Sequence, residues 1–250
     1  NYSGSFDGTA DFIKTTNHSS INPTAAISIS VWVKPNAWNR SDGSQNDYFI
    51  GCVASGGYAV YLENSSGNNT TIKFIIRVTD TDPSTGGAQA GYLTANINKA
   101  TTEALTGWNH IVATYDGEIA RLYLNGGTTG VTNATGAASS TIVYNSSERD
   151  VMLGADNNNS TTTAQHFYNG LLDDVAVWDA ALDADAVTAV YNTGVPFDLT
   201  SNKGNYDNSG DLQGYWKFEE GTGAEVADSS TNSNTGVAGN AWSWSTDTSE

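Results

Sequence analysis

Two acidic positions have the setting of candidate metal ligands. In LLDDVAVW (171–178), Asp173 shares strand parity with Val175 and Val177. If the valines face a core, that carboxylate lies on the core face near a strand end. A buried, unpaired carboxylate is costly, so a backbone hydrogen bond, a nearby Lys or Arg, or a cation must compensate it. In ADSSTNSNTG (227–236), Asp228, Ser230, Asn232 and Asn234 carry side-chain oxygens at alternate positions before Gly236. Alternating oxygens in a Gly-ended loop suit Ca²⁺, a hard cation, and the same composition also makes an ordinary polar turn.

Other chemistry is thinly represented. There is no G-x-S-x-G elbow, no H-E-x-x-H and no phosphate loop. Glycosidic cleavage needs two carboxylates flanking the scissile bond. The apolar runs TIKFIIRVTD (71–80), YAVYLE (58–63) and HIVATYD (110–116) each carry at most one acid near an end, and Glu219 and Glu220 are adjacent, hence on opposite faces of a strand. Of the three histidines, His110 reads as a satisfied structural residue, and His18 and His166 as loop or strand-edge residues. Cys52 stands alone in an apolar stretch, so it pairs with no other cysteine of this sequence and reads as a small buried hydrophobe. Trp38, Tyr48, Tyr92 and Tyr168 fall in or beside expected loops, where they could stack on sugars. Trp32, Trp108, Trp178 and Trp216 fall on or beside strands and are expected to pack.

The elements that would position these groups are short strands. AISISVWVKP (26–35) alternates, with Ile27, Ile29, Val31 and Val33 on one face and Ser28, Ser30, Trp32 and Lys34 on the other, a half-buried strand closed by Pro35. Tyr58, Val60 and Leu62 give a second strand, and Ile72, Phe74, Ile76 and Val78 a third with Lys73, Arg77 and Thr79 outward. GWNHIVATYDGEIARLYLNG (107–126) is a hairpin turning at Asp116-Gly117, because the tight primed turn needs positive φ. FYNGLLDDVAVWDAALDADAVTAVYNTG (167–194) reads as a strand followed by one short helix near 183–192, capped by Asp183. Gly- and Asn-rich loops are expected at 36–47, 64–70, 80–91, 125–140 and 154–164. The fold class is all-β: a two-sheet antiparallel jelly-roll sandwich with one short helix.

At 250 residues the chain can bury a full core. Twenty-seven acidic against 10 basic residues give a net charge of −17, which opposes nucleic acid or an anionic membrane as partner. No run approaches the ~18 apolar residues of a membrane helix, and NYSGSFDG is not a signal peptide, so a processed or excerpted chain is expected. Sequons at Asn17, Asn64, Asn69, Asn133, Asn145 and Asn159 arise by chance in so Asn- and Ser/Thr-rich a chain.

The hairpin at 107–126, followed by the strand–helix unit at 167–194, resembles the signature of laminin G-like domains of the concanavalin A-like superfamily. SFDGTADFI (5–13) resembles the family motif that normally follows a segment like LQGYWKFEEGTGAEVADSS, which here comes last, so the order is permuted. The resemblance implies a jelly roll over 1–196, a polar connector at 197–211, and a terminal strand segment at 212–250 that completes a jelly roll in its own or a neighbouring subunit. It implies a structural Ca²⁺ at Asp173, with Asp228 or backbone carbonyls as partners, and a non-enzymatic extracellular or virion-surface module that recognises glycan or protein through its loops. The alternatives are a self-assembling subunit of a fibre, filament or decoration protein, polymerised through residues 212–250, and a glycan-active enzyme. Repetitive Asn/Thr/Gly-rich jelly rolls in permuted order resemble marine phage or bacterial surface proteins.

Overall fold

A computed structural model describes residues 1–15, 19–37, 46–53, 56–64, 69–81, 88–100, 107–127, 132–135, 141–144, 150–157, 163–240 and 242–250. In chain order the strands begin β1 (Ser3–Asp7), β2 (Ile13–Thr15), β3 (Ile27–Pro35), β4 (Asn46–Gly51), β5 (Tyr58–Asn64) and β6 (Asn69–Thr81). They continue β7 (Ala88–Ala100), β8 (Asn109–Tyr115), β9 (Ile119–Leu124), β10 (Thr132–Thr135), β11 (Met152–Leu153), β12 (Asp156–Asn157) and β13 (Ala164–Gln165). The last are β14 (Asn169–Trp178), β15 (Leu212–Trp216), β16 (Glu225–Val226), β17 (Gly236–Ala238) and β18 (Ser243–Ser245), with helix α1 (Ala184–Tyr191) between β14 and β15.

Two antiparallel sheets form the sandwich. Sheet one runs β10-β9-β8-β3-β14-β1-β18, with β15 also on β14; sheet two runs β16-β17-β2-β11-β4-β5-β6-β7; β12 and β13 make a small separate hairpin. The core lies where the alternation placed it: Ile27, Ile29, Val31 and Val33 from sheet one meet Tyr58, Val60, Leu62, Ile72, Phe74, Ile76 and Val78 from sheet two, joined by Ala120, Leu122 and Leu124 of β9.

The expectation that β3 is half-buried is wrong, because sheet one is covered on both faces. Its outer side packs Val112, Tyr123, Ala176 and Trp178 against Leu182, Val187 and Val190 around α1, and against Leu199 and Tyr206 of the connector. Ser28 and Ser30 survive there because their hydroxyls are used. Ser28 Oγ donates to Ala180 O (2.7 Å) and accepts from Leu182 N (2.8 Å), and Ser30 Oγ lies 2.7 Å from His110 Nε2. The helix forms as expected, with the Asp183 carboxylate accepting from Ala186 N at 2.8 Å. It ends at Asn192, whose left-handed backbone (φ 46°) directs its N–H to Thr188 O.

Strand β14 changes partners along its length. Its first half pairs with β1, from Asp7↔Asn169 to Gly4↔Leu172, and its second half with β15, from Val175↔Trp216 to Trp178↔Leu212. Both partners are antiparallel to β14, so β15 and β1 run in the same direction along one edge. Trp216 and Phe218 fill the core at this seam. A Cβ on Gly4 would meet the Phe218 ring at 2.6 Å, so glycine is required for the ring to close over β1.

The seam also holds a β-bulge: opposite β3, Asp173 faces Trp32 and Ala176 faces Ser30, leaving Asp174 and Val175 against Val31 alone. Asp174 takes a φ of 44°. This breaks the expected parity. Leu172, Val175 and Val177 all enter the main core, and Asp173 shares the outward side of Trp32 instead of the core side of the valines. Asp173 and Asp174 are nevertheless buried. Asp173 Oδ2 accepts from Ser249 N (3.0 Å) and Ser249 Oγ (2.9 Å), while Asp174 accepts from the Tyr215 hydroxyl. Burial, with the Glu219 charge adding to it, pushes Asp173 up to about 7 despite the Ser249 bonds. Burial and the Asp173 charge hold Asp174 well above the usual carboxylate range.

A carboxyl whose pKa is raised on folding is favoured protonated in the native state, so its contribution falls as pH rises from the unfolded value to the folded one. His110, driven down to about 3 by burial, acts oppositely but only below its ordinary 6.5. Between pH 6.5 and 8 the Asp pair therefore dominates, and stability should fall by roughly 2 kcal/mol for each of these protons still bound, or about 4–8 °C in Tm for a chain of this size. Calorimetry at pH 6.5 and 8 tests this. Asp174→Asn, which keeps an acceptor for Tyr215 and tolerates positive φ, should raise Tm at pH 8 and flatten the profile; an unchanged profile would show that the pair is not its source.

Candidate functional site

Both predicted metal ligands are engaged by donors of the chain itself. Asp228 has both oxygens filled by donors of its own chain: Oδ1 accepts from Tyr215 N and Ser230 N (both 2.8 Å), and Oδ2 from Ser230 Oγ (2.8 Å) and Asn234 N (2.7 Å). Asn232 and Asn234 direct their side-chain amides, which are donors, at Gln213 O (3.1 and 2.8 Å). The alternation of oxygens thus builds a polar turn that staples residues 228–234 to β15. Asp173 accepts from Ser249 and from Asp174 N (3.1 Å), and is not joined to Asp228. Among the described residues no cluster of three or more His, Cys, Asp or Glu side chains is arranged to hold a metal.

His110 is buried under α1 between Trp32 (ring centroids 4.8 Å) and Tyr191 (5.9 Å), and burial keeps it neutral. Trp178 Nε1 donates to Tyr206 Oη (3.1 Å), Trp216 Nε1 to Asn234 O (2.8 Å) and Trp108 Nε1 to Asp247 Oδ1 (3.0 Å), so these tryptophans pack or staple, as expected. Cys52 is buried. His18 and Trp38 lie outside the described residues. No helix among the described residues is long and apolar enough to cross a membrane.

The aromatic candidates lead to sheet two. Tyr48 and Tyr92 are not loop residues: Tyr48 sits on β4 and Tyr92 within β7, because β6 and β7 extend across much of the expected 80–91 loop. Tyr168 is buried in the core. On the face of sheet two turned away from the core, cross-strand register aligns Tyr48, Tyr61, Lys73 and Asn96 in one row. Ala59, Ile75 and Thr94 form the next row, and Arg77 with Tyr92 a third.

The rings are held rigidly. Tyr48 and Tyr61 stack with centroids 4.5 Å apart at 5°, and His166 stacks on Tyr48 at 5.3 Å. Burial, then the charges of Glu63 and Asp156, push the Tyr61 hydroxyl up to about 12, and Tyr48 is raised further; both rings are buried in a cluster with Val53 and Ala59, which supports Tyr92 from beneath. Tyr92 reaches back across the sheet, its hydroxyl donating to Val53 O at 3.2 Å, with 48% of its surface exposed. Among the described residues the other large exposed apolar side chains are Val195 and Val237, so Tyr92 is the exposed ring. Polar groups surround it: Lys73 Nζ bridges to Glu63 Oε1 at 2.5 Å, and the Arg77 guanidinium lies 5.8 Å from the Tyr92 centroid.

A second concavity, lined by Ser20, Asn22, Thr24, Ala25, Asp179 and Gln213 among others, has no aromatic ring in its wall. Tyr61, His166, Arg77 and Asn96 escaped the sequence reading as site residues. The available signal was parity: Tyr61 lies off the Tyr58/Val60/Leu62 face, and Arg77 off the face of Ile76 and Val78.

Asp228→Ala should destabilise the chain by about 2–4 kcal/mol, because several donors lose a charged acceptor. The loss should be equal in calcium and in chelator. A destabilisation seen only in calcium would restore the metal reading.

A family profile described as the concanavalin A-like lectin/glucanases superfamily matches residues 7–188. A search of curated proteins finds no match. Among solved structures, a presumed carbohydrate-binding protein from Bacteroides ovatus is similar at TM-score 0.63 and 15% identity, over 97% of this chain and 59% of that one. The chain thus spans about three fifths of that protein's length. A heptameric SAP-like pentraxin from Limulus polyphemus is similar at 0.53 and 16% identity, over 98% and 94% of the two chains. The CBM40 of the Ruminococcus gnavus IT-sialidase, bound to α2,3-sialyllactose, is similar at 0.50 and 14% identity, over 75% and 96%. With the profile spanning most of the sequence and the sandwich matching it, this chain belongs to the concanavalin A-like lectin/glucanases superfamily, as a laminin G-like member.

Proposed function

We propose that this chain is a glycan-recognition module that binds without turnover, using the outward face of sheet two. The observation that carries it is Tyr92, an exposed ring fixed by its bond to Val53 and flanked by polar side chains. An apolar ring face with hydrogen-bonding neighbours suits a sugar, which has one apolar face and a rim of hydroxyls. The carbohydrate-binding descriptions of two similar structures support the same reading. Recognition rather than hydrolysis is supported by the carboxylates of this face. Glu63 is committed to Lys73, and Asp156 is buried and accepts from Val53 N at 3.2 Å. Such a module belongs outside the cell, on a cell or virion surface, where glycans are displayed.

Tyr92→Ala should weaken glycan binding at least tenfold, about 1.4 kcal/mol, while leaving Tm nearly unchanged because the ring is exposed. Array screening followed by calorimetry would measure both. Binding unaffected by the change would move the site elsewhere, and reducing sugar released by the wild type would make the protein an enzyme.

For the tail we propose self-completion. The connector that would have to swing out for donation is docked: Tyr206 donates to Leu199 O (2.8 Å) and accepts from Trp178, and Lys217 bridges to Asp198 at 2.9 Å. Light scattering should therefore show a monomer, and deleting residues 212–250 should unfold it. A stable truncated chain, or a polymer that depends on the tail, would overturn this.

A further inference from the structure

Among the described side chains Arg77 is unlike the other cations. Lys14, Lys34, Lys73, Arg121 and Lys217 each meet a carboxylate within salt-bridge distance. Lys203 has no acid but is exposed, with water for its ammonium and the Phe197 ring 4.6 Å away. Arg77 is half-buried, and its Nε is sealed from solvent with no hydrogen-bond partner. Its backbone is fully used, N donating to Gly57 O (2.8 Å) and O accepting from Val143 N (2.9 Å), so the residue cannot easily move to find one. Acids are not scarce in a chain with 27 of them. An arginine that meets no carboxylate among the described residues, on a recognition face, has a guanidinium whose charge a ligand can answer.

A second orphan lies on the same face. Asn96 Oδ1 is buried without a partner, one row beyond Ile75 and Thr94 from the Arg77–Tyr92 pair. Four residues of strand separate the two rows, roughly 13 Å, so one ligand touching both must be longer than a single ring. Beyond Asn96 the character changes, because Lys73 is already neutralised by Glu63 and Asp156 lies near Tyr48. A second ligand carboxylate at that end would meet negative charge, and a polyanion would meet the net −17 of the whole chain.

Resting on the reading of this face as a glycan platform, we infer that its ligand is an oligosaccharide carrying a single carboxylated sugar. That sugar stacks on Tyr92 with its carboxylate in the Arg77 fork, and Asn96 accepts a hydroxyl of a neutral ring further along.

The test pairs oligosaccharides ending in glucuronic or sialic acid with the same chains after reduction of the carboxyl to an alcohol. They are titrated into wild type, Arg77→Gln and Arg77→Lys. Wild type should bind the best acidic chain at least tenfold more tightly than its reduced partner. Arg77→Gln should erase that difference while still binding the reduced chain normally, and Arg77→Lys, which keeps the charge without the fork, should retain only part of it. Equal binding of acidic and reduced chains by wild type overturns the inference but leaves glycan recognition standing. Stronger binding of sulfated or polyuronate chains overturns the single-carboxylate assignment. Loss of reduced-chain binding along with the preference, or a lowered Tm in Arg77→Gln, marks Arg77 as structural and overturns it. No binding to any glycan overturns both this inference and the reading beneath it.

Discussion

The fold depends on β14 having both of its edges paired. A long interior strand with an open edge would expose a row of unsatisfied N–H and C=O groups and an apolar slot behind them. Here one edge is supplied by β3 and the other by two short strands from opposite ends of the chain, β1 and β15. The permuted order that the resemblance implies is compatible with this geometry. Because β15 and β1 run in the same direction along one edge, they can be joined to each other or be far apart in sequence with the same sheet resulting. The terminal amine of Asn1 lies 3.8 Å from Glu219 Oε2, just past β15, so the two segments approach each other at the seam.

The seam explains the two buried aspartates. Between Leu172 and Val175, neither β1 nor β15 offers β14 a partner, and the chain must satisfy polar groups gathered there. Asp173 takes both donors of Ser249, and Asp174 takes the Tyr215 hydroxyl. An apolar pair in their place would strand those donors, which costs more than the missing bond alone. The tail is held at further points: Ser3 Oγ donates to Asp247 O at 2.7 Å, and the Asp247 carboxylate meets Lys34 and Trp108. Burial of two carboxyl groups, held toward their neutral form, is the cost of closing the sandwich with separate pieces.

Where alternation was strict, the sequence was a good guide: the core faces of β3, β5 and β6, the Asp183 cap and the helix behind it all stand as expected. It misled where tertiary packing adds a layer or a bulge. Ser28 and Ser30 look like solvent residues, and they are buried with their hydroxyls bonded to the segment leading into α1 (Ala180 and Leu182) and to His110 of β8, partners that no periodicity reveals. The extra residue at Asp174 inverts parity midway along a strand, so extrapolating from Val175 and Val177 put Asp173 on the wrong face. The oxygen-rich 228–234 segment has the composition of a cation loop, and only the direction of each donor shows that its acceptors are consumed locally. Tyr48 and Tyr92 were recognisable as possible sugar contacts; the row that aligns Tyr48 with Tyr61, Lys73 and Asn96 required knowing the register.

The closing seam and the candidate binding face are built by different parts of the chain, and this separation has a physical consequence. The seam gathers segments more than 200 residues apart in sequence, as in the Ser3–Asp247 bond. The outward face of sheet two comes mainly from β4, β5, β6 and β7, four strands consecutive in the chain, each hydrogen-bonded to the next. Its core side is anchored by Val60, Leu62, Phe74 and Ile76, and on its outward side Tyr48, Val53, Ala59 and Tyr61 form a small buried cluster beside the exposed Tyr92. The outer residues of sheet one are engaged with α1 and the connector. Substitutions at the two locations share no partners and should act independently. The exposed part of that face, at Tyr92, can therefore change what it meets without disturbing how the seam closes.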